Sequence, residues 1–209
     1  MTEIKLDMRR STLFILITVL ALTPVTAQTT DHLNVITARI GDNIRLVGES
    51  GATLPVSIAY EHEFCGDALG VESLRFGVGA VVGNGTYYRN HCERDENLRH
   101  HYNDILTAIT GTAHYDILGQ WFGCHSDHVD TYATFTLGII NERWAHIDPS
   151  GRVVRDPEFT DQTGLVWRQL FAPGLQVGCR YWFIPNFGIT AEGGFDGMSV
   201  FNFGLQACF

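Results

Sequence analysis

The chain lacks an apolar run long enough to cross a bilayer as a helix. Its longest runs from Leu13 to Leu22, whereas a spanning helix needs about 20 apolar residues. It lacks a basic cluster as well. The net charge is −9 at pH 7, which argues against nucleic acid, and the acidic surplus falls mostly in expected loops, where it reads as solvation. No Pro/Ser-rich linker divides it and no repeat of about 20 to 50 residues recurs, so one domain is expected. The Gly-rich stretch Gly77 to Gly85 has neither a P-loop lysine nor a following helix, which excludes a phosphate loop. The five cysteines show no paired Cys-x-x-Cys spacing, and an odd count leaves at least one unpaired.

What is present begins with a leader. Lys5, Arg9 and Arg10 precede the run Leu13 to Leu22, and Val25 and Ala27 supply small residues before Gln28. That is the layout of a secretory signal peptide over residues 1–27. No Cys follows Ala27, so a lipid anchor is not expected. The exported part, residues 28–209, can then reside in a membrane only as a closed barrel. Because the sequence stops at Phe209, no separate periplasmic domain is expected.

The carboxyl-terminal segment Ser199 to Phe209 carries the strongest pattern. Phe201, Phe203, Leu205, Ala207 and Phe209 alternate with Asn202, Gly204, Gln206 and Cys208. Strict period two is a strand with one apolar and one polar face. An aromatic at the last position suits the membrane–water boundary of an outer-membrane barrel. Similar alternation covers Leu54–Phe64, Ser73–Gly83, Leu106–Tyr115, Thr131–Ile139, Leu175–Phe183 and Phe187–Gly193. A poorer one over Leu33–Ile40 supplies the eighth strand. The expected fold is therefore all-β: an eight-stranded antiparallel up-and-down transmembrane β-barrel.

The expected turns on the periplasmic side are Cys65–Gly70, Leu118–Asp130 and Ile184–Asn186. On the outer side they are Gly41–Ala52, Asn84–Arg99, Asn141–Gly164 and a tight Asp196–Gly197 turn. The polar faces place Glu61, Arg75, Arg180 and Glu192 in the lumen, where charges must pair because a lone buried one costs several kcal/mol. Hairpin registry suggests Arg75 with Glu61 and Arg180 with Glu192. Cys65 and Cys124 fall in turns at the same end and form the best candidate disulfide; the rival reading leaves all five thiols free.

Leu54–Glu61 followed by Leu74–Gly79, then Asp130–Ala133 into Leu137-Gly138, then Gly178–Phe183 and Asn186–Glu192 resemble small outer-membrane β-barrels common in Bacteroidota. The resemblance covers most of Leu54 to Phe209. It implies an OmpA/OmpX-type barrel, usually without an assigned activity. Such proteins often carry an Arg on the fourth strand, where this chain has Thr110. The terminal pattern of Phe201, Phe203, Leu205 and Phe209 resembles the signal read by the barrel-insertion machinery.

The sequence is thus read as a non-enzymatic integral protein of the cell outer membrane with a structural or surface-interaction role. Outer-membrane lipid, lipopolysaccharide and, during biogenesis, the insertion machinery are the expected partners; the surface partner is open. The alternatives are a narrow porin-like channel and a lipid-modifying enzyme. The enzyme would need a base, a nucleophile and an acid together, and the nearest local pair is His125-Ser126. A lipocalin-like barrel would need a polar exterior, which the apolar faces oppose. Two His/Cys clusters, His91/Cys92/Asp95/Glu96/His100/His101 and Cys124/His125/Asp127/His128, read as polar loops. No catalytic residue, cofactor or metal is expected.

Overall fold

Extended segments with one polar and one apolar face can satisfy all their backbone groups by closing on themselves. The computed structural model, which describes residues 34–42, 53–64, 74–90, 99–123, 126, 128–148, 150–154 and 165–209, has this architecture. In chain order come β1 (Asn34–Gly41), β2 (Val56–Phe64), β3 (Leu74–Asn90), β4 (Arg99–Tyr115) and a short helix, α1 (Ile117–Phe122). They are followed by β5 (Val129–Ile147), β6 (Val153–Val154), β7 (Leu165–Ile184), β8 (Phe187–Phe195) and β9 (Phe201–Cys208). The two-residue β6 merely edges β5. The other eight pair antiparallel in order, and β1 pairs with β9 to close the ring. The protein is an eight-stranded antiparallel transmembrane β-barrel.

Its polarity is inverted relative to a water-soluble domain. The most deeply buried side chains include His114, Gln176, Gln206, Thr136 and Ser199, whereas Ile109, Phe171, Leu175, Val177 and Phe203 are each over 60% exposed on the outside. An apolar surface that surrounds the molecule marks contact with lipid. Outward positions of β4 stay free of charge from Tyr115 to Ile105; those ten steps rise about 26 Å at 3.4 Å per residue and a 40° tilt, enough for an outer-membrane hydrocarbon layer. Above that level amides take over. Gln169 donates to Asn141 at 3.0 Å, and Asn84 donates to Asn103 at 3.4 Å.

The strands do not stop at this line, which corrects the expected outer loops. Asn84–Asn90 and Asn141–Ile147, expected as loop, are strand, and β4 and β7 start at Arg99 and Leu165, ahead of the expected Leu106 and Leu175. The wall is tall over β3, β4, β5 and β7 and short over β1, β2, β8 and β9. Beyond lipid both faces of a strand meet polar surroundings, so period two in hydropathy fades while the ladder continues. At the opposite end, α1 takes up the start of the expected Leu118–Asp130 turn. Asp116 caps it by accepting from the Gly119 N–H at 2.8 Å, and Gly123 ends it with φ +67°. Trp121 and Phe122 project outward from α1, as aromatics do at a membrane boundary.

The second correction concerns the Asp196–Gly197 turn. It is no exposed hairpin tip. Asp196, Gly197, Met198 and Ser199 are all buried, because the β8–β9 connection folds into the barrel mouth. Glycine makes this possible: Gly194 and Gly197 have φ of +129° and +101°, values that L side chains avoid.

Candidate functional site

The lumen holds the chain's concentrated chemistry, and it is built in layers. Near the end that carries Asn34 and Phe209, β2 contributes Glu61 and Glu63, β3 Arg75, β4 His114, β5 Asp130 and β7 Arg180. Arg180 donates to Glu61 and, at 2.8 Å, to Glu63. Arg75 donates to Glu63 at 2.9 Å and to Asp130 at 3.1 Å. His114, fully buried, sits between two carboxylates, with Nδ1 2.8 Å from Asp130 and Nε2 2.8 Å from Glu61. An ionised carboxylate only accepts, so both ring nitrogens donate when these acids are ionised, and the imidazole is then a cation. Three acids then face Arg75, Arg180 and His114, and the layer is neutral.

All four lumen charges expected from the sequence point inward, but their partners differ. Arg75 pairs with Glu63 and Asp130 rather than Glu61. In the β2–β3 register Glu61 stands opposite Gly79, four residues past Arg75 and roughly 13 Å along the strand. Arg180 pairs across the lumen with β2 instead of with Glu192, while Glu192 accepts from Arg39 at 2.6 Å. In a narrow barrel the nearest opposite charge lies across the lumen as readily as on the next strand. Glu63, His114 and Asp130 complete the network, and Arg39 supplies the second pair. Their alternation with outward apolar residues was visible for Glu63, but Arg39 lies in the poorly alternating β1 and Asp130 at a strand end.

The next layer surrounds Arg39 and Glu192. The Tyr132 hydroxyl donates to Glu192 at 2.8 Å and lies 2.6 Å from that of Thr190. The Arg180 guanidinium lies over the Tyr132 ring, 4.5 Å from its centre. That ring covers Gly178, where a Cβ would come within 2.6 Å of the tyrosine oxygen. Glycine is required here because an aromatic fills the space its side chain would take. The lumen cavity lined by Thr37, Arg39, Glu61, Thr110, Arg180 and Glu192 has a volume of about 20 Å³, room for one water. Thr110 thus faces this network without adding a charge to it.

Towards the far end the lumen carries an apolar cluster. Met198, carried inward by the β8–β9 connection, packs on Val81, Leu106, Ala108, Ile140 and Ala172. Asp196 holds the connection in place. It accepts from the Met198 and Ser199 amides at 2.8 and 2.7 Å, and from the Ser199 hydroxyl and Asn202 amide at 3.0 Å each. Asp42 ties the same connection to β1 by accepting from the Val200 and Phe201 amides, each at 2.7 Å. The lumen is thus charge-balanced around Glu61 and His114 and filled by apolar side chains around Met198.

Glu61, Glu63 and His114 bring donor atoms within 4.8 Å of one another, the spacing of a metal cage. Their chemistry opposes one, since Arg180 occupies both glutamates and both imidazole nitrogens face carboxylates. The His114–Asp130 pair has the look of a catalytic base with its orienting acid, yet Nε2 faces Glu61 instead of a nucleophile. Phe201, Phe203, Leu205 and Phe209 are outward and more than half exposed. Cys179 is an exposed thiol on the outer wall, and Cys208 is buried, its thiol 3.2 Å from the Pro185 carbonyl. Cys65, Cys92 and Cys124 lie outside the described residues, and so do residues 1–27, His91, Asp95, Glu96, His125 and Asp127. His128 engages the Trp182 carbonyl at 2.9 Å. His100 and His101 are strand residues on opposite faces of β4.

Above the membrane level, burial and the neighbouring Arg143 hold His101 below the usual imidazole range. In the turn between β5 and β6, Asp148 is held below the usual carboxylate range, chiefly by the Ser150 hydroxyl that donates to it at 2.6 Å.

No protein-family model matches the chain, and no curated protein matches it. Among solved structures it is similar to the N-terminal β-barrel domain of Pseudomonas aeruginosa OprF, with 15% identity over 86% of this chain and 100% of that one, at a TM-score of 0.47. It is likewise similar to Ail, the attachment invasion locus protein of Yersinia pestis, with 15% identity over 84% of this chain and 95% of that one, at a TM-score of 0.41. A de novo designed transmembrane β-barrel aligns with 10% identity over 88% of this chain and 100% of the design, at a TM-score of 0.42.

Proposed function

We propose that the chain is an integral outer-membrane protein whose barrel is a sealed anchor and whose working surface is the wall that β3, β4, β5 and β7 raise above the membrane. The observation that carries this reading is the closed lumen: ion pairs at one end, the Met198 cluster at the other, and a cavity of only about 20 Å³ between the charged groups. A conduit would need a hydrated path, and an eight-stranded interior is just wide enough for side chains to fill. The role is non-enzymatic. The leader-like residues 1–27 and the apolar band support export and residence in the outer membrane, where lipid and lipopolysaccharide surround the barrel. Phe201, Phe203, Leu205 and Phe209 form the signal for the insertion machinery.

The test is made in cells. The protein should fractionate with outer membrane, run faster on a gel when unboiled, and expose an epitope tag inserted after Ser150 to antibody on intact cells. Recovery in the soluble periplasm, or a tag reached only after lysis, would overturn the reading.

A further inference from the structure

The wall above the membrane carries a group that the anchor does not need. His100 on β4 and His146 on β5 are register partners. Both stand on the face that continues the lumen side of the barrel. Their ring centres are 4.4 Å apart with the planes at 76°. The arrangement is braced on several sides. His100 stacks on Trp144 at 4.8 Å with an interplanar angle of 5°, and Trp144 meets His146 edge-on at 5.2 Å. The Tyr102 hydroxyl lies 3.2 Å from His100 Nδ1. Ligating histidines are commonly oriented in this way, through a hydrogen bond on the ring nitrogen that does not bind the metal.

We propose that His100 and His146 bind a divalent transition-metal ion, copper(II) before nickel(II), in a two-imidazole site on the extramembrane wall. Imidazole nitrogen suits divalent first-row metals, and copper(II) binds such donors more tightly than nickel(II). The site joins β4 to β5 above the membrane, so binding clips the wall together.

The test titrates copper(II) chloride into the protein refolded in detergent micelles, following tryptophan fluorescence and heat of binding. The expected result is saturable binding that quenches Trp144. His100→Gln and His146→Gln should each weaken it tenfold or more. Tyr102→Phe should weaken it about tenfold, the lower end of the usual loss when an orienting partner is removed. His101→Gln, on the outer face of the same strand, should leave it unchanged. Trp144→Phe should keep the heat of binding and lose most of the quenching. Should a histidine variant not refold, carbethoxylation of the unaltered protein gives the answer: copper(II) should protect His100 and His146 and leave His101 as reactive as before. Unchanged affinity in the doubly substituted protein, or no protection of the pair, would overturn the proposal.

Discussion

The pair Arg39–Glu192 offers the sharpest test of how the lumen is held. Both side chains are more than 90% buried, and their charged atoms meet at 2.6 Å. Glu192 has one further strong donor, the Tyr132 hydroxyl at 2.8 Å. Arg39→Met removes the cation and leaves a buried carboxylate with neutral donors only. Breaking such a pair from one side costs about 3–5 kcal/mol. Glu192→Met strands the guanidinium and should cost a similar amount. Replacing both at once removes the desolvation cost together with the attraction, so the doubly substituted barrel should lose no more than about 2 kcal/mol. Independent sites would instead add, to at least about 6 kcal/mol. Urea unfolding of the barrel in lipid vesicles measures all four proteins, with the heat-dependent shift in gel mobility reporting the folded fraction. A double variant destabilised by the full sum would refute the reasoning that the two charges exist for each other.

Gly178→Ala should destabilise by about 1–3 kcal/mol through overpacking, because the new methyl presses on Tyr132; Tyr132→Ala in the same chain should relieve that strain, as a thermal-melt cycle will show. Met198→Asp places a carboxylate in the apolar cluster and should cost several kcal/mol, whereas Met198→Leu should cost less than about 1.5 kcal/mol; equal urea midpoints for the two variants would contradict a packed seal. Replacing Phe203 and Phe209 by Asp puts charge against lipid, at somewhat less than the 2–4 kcal/mol typical of Arg or Lys at mid-membrane, and should abolish outer-membrane insertion; normal levels of the double variant in that fraction would refute an insertion role.

The strands were legible where lipid lies on one side and the lumen on the other. Leu137 and Ile139 against Thr134 and Thr136 can be read only as a wall between two solvents. Legibility ends where that contrast ends. Tyr87, Tyr102 and Trp144 continue the ladder above the membrane, but both of their strands' faces are mixed in polarity, and so the sequence reads as loop. Lumen charges were legible as inward residues and illegible as pairs, since Arg180 chooses Glu63 across the barrel and Glu192 chooses Arg39 two strands away. The inward fold of Asp196–Ser199 left a trace in the two glycines, Gly194 and Gly197, yet nothing local says that Met198 meets Leu106 and Ile140. Residues distant in sequence make that contact, and only ring closure brings them together.

The central claim, a barrel sealed from within, is tested most directly by planar-bilayer recording on the refolded protein at high salt. The lumen of paired charges and the Met198 cluster predicts a flat baseline at every applied voltage, with insertion verified by the gel-mobility shift of protein recovered from the same vesicles. Reproducible single-channel steps that scale with salt concentration would contradict it.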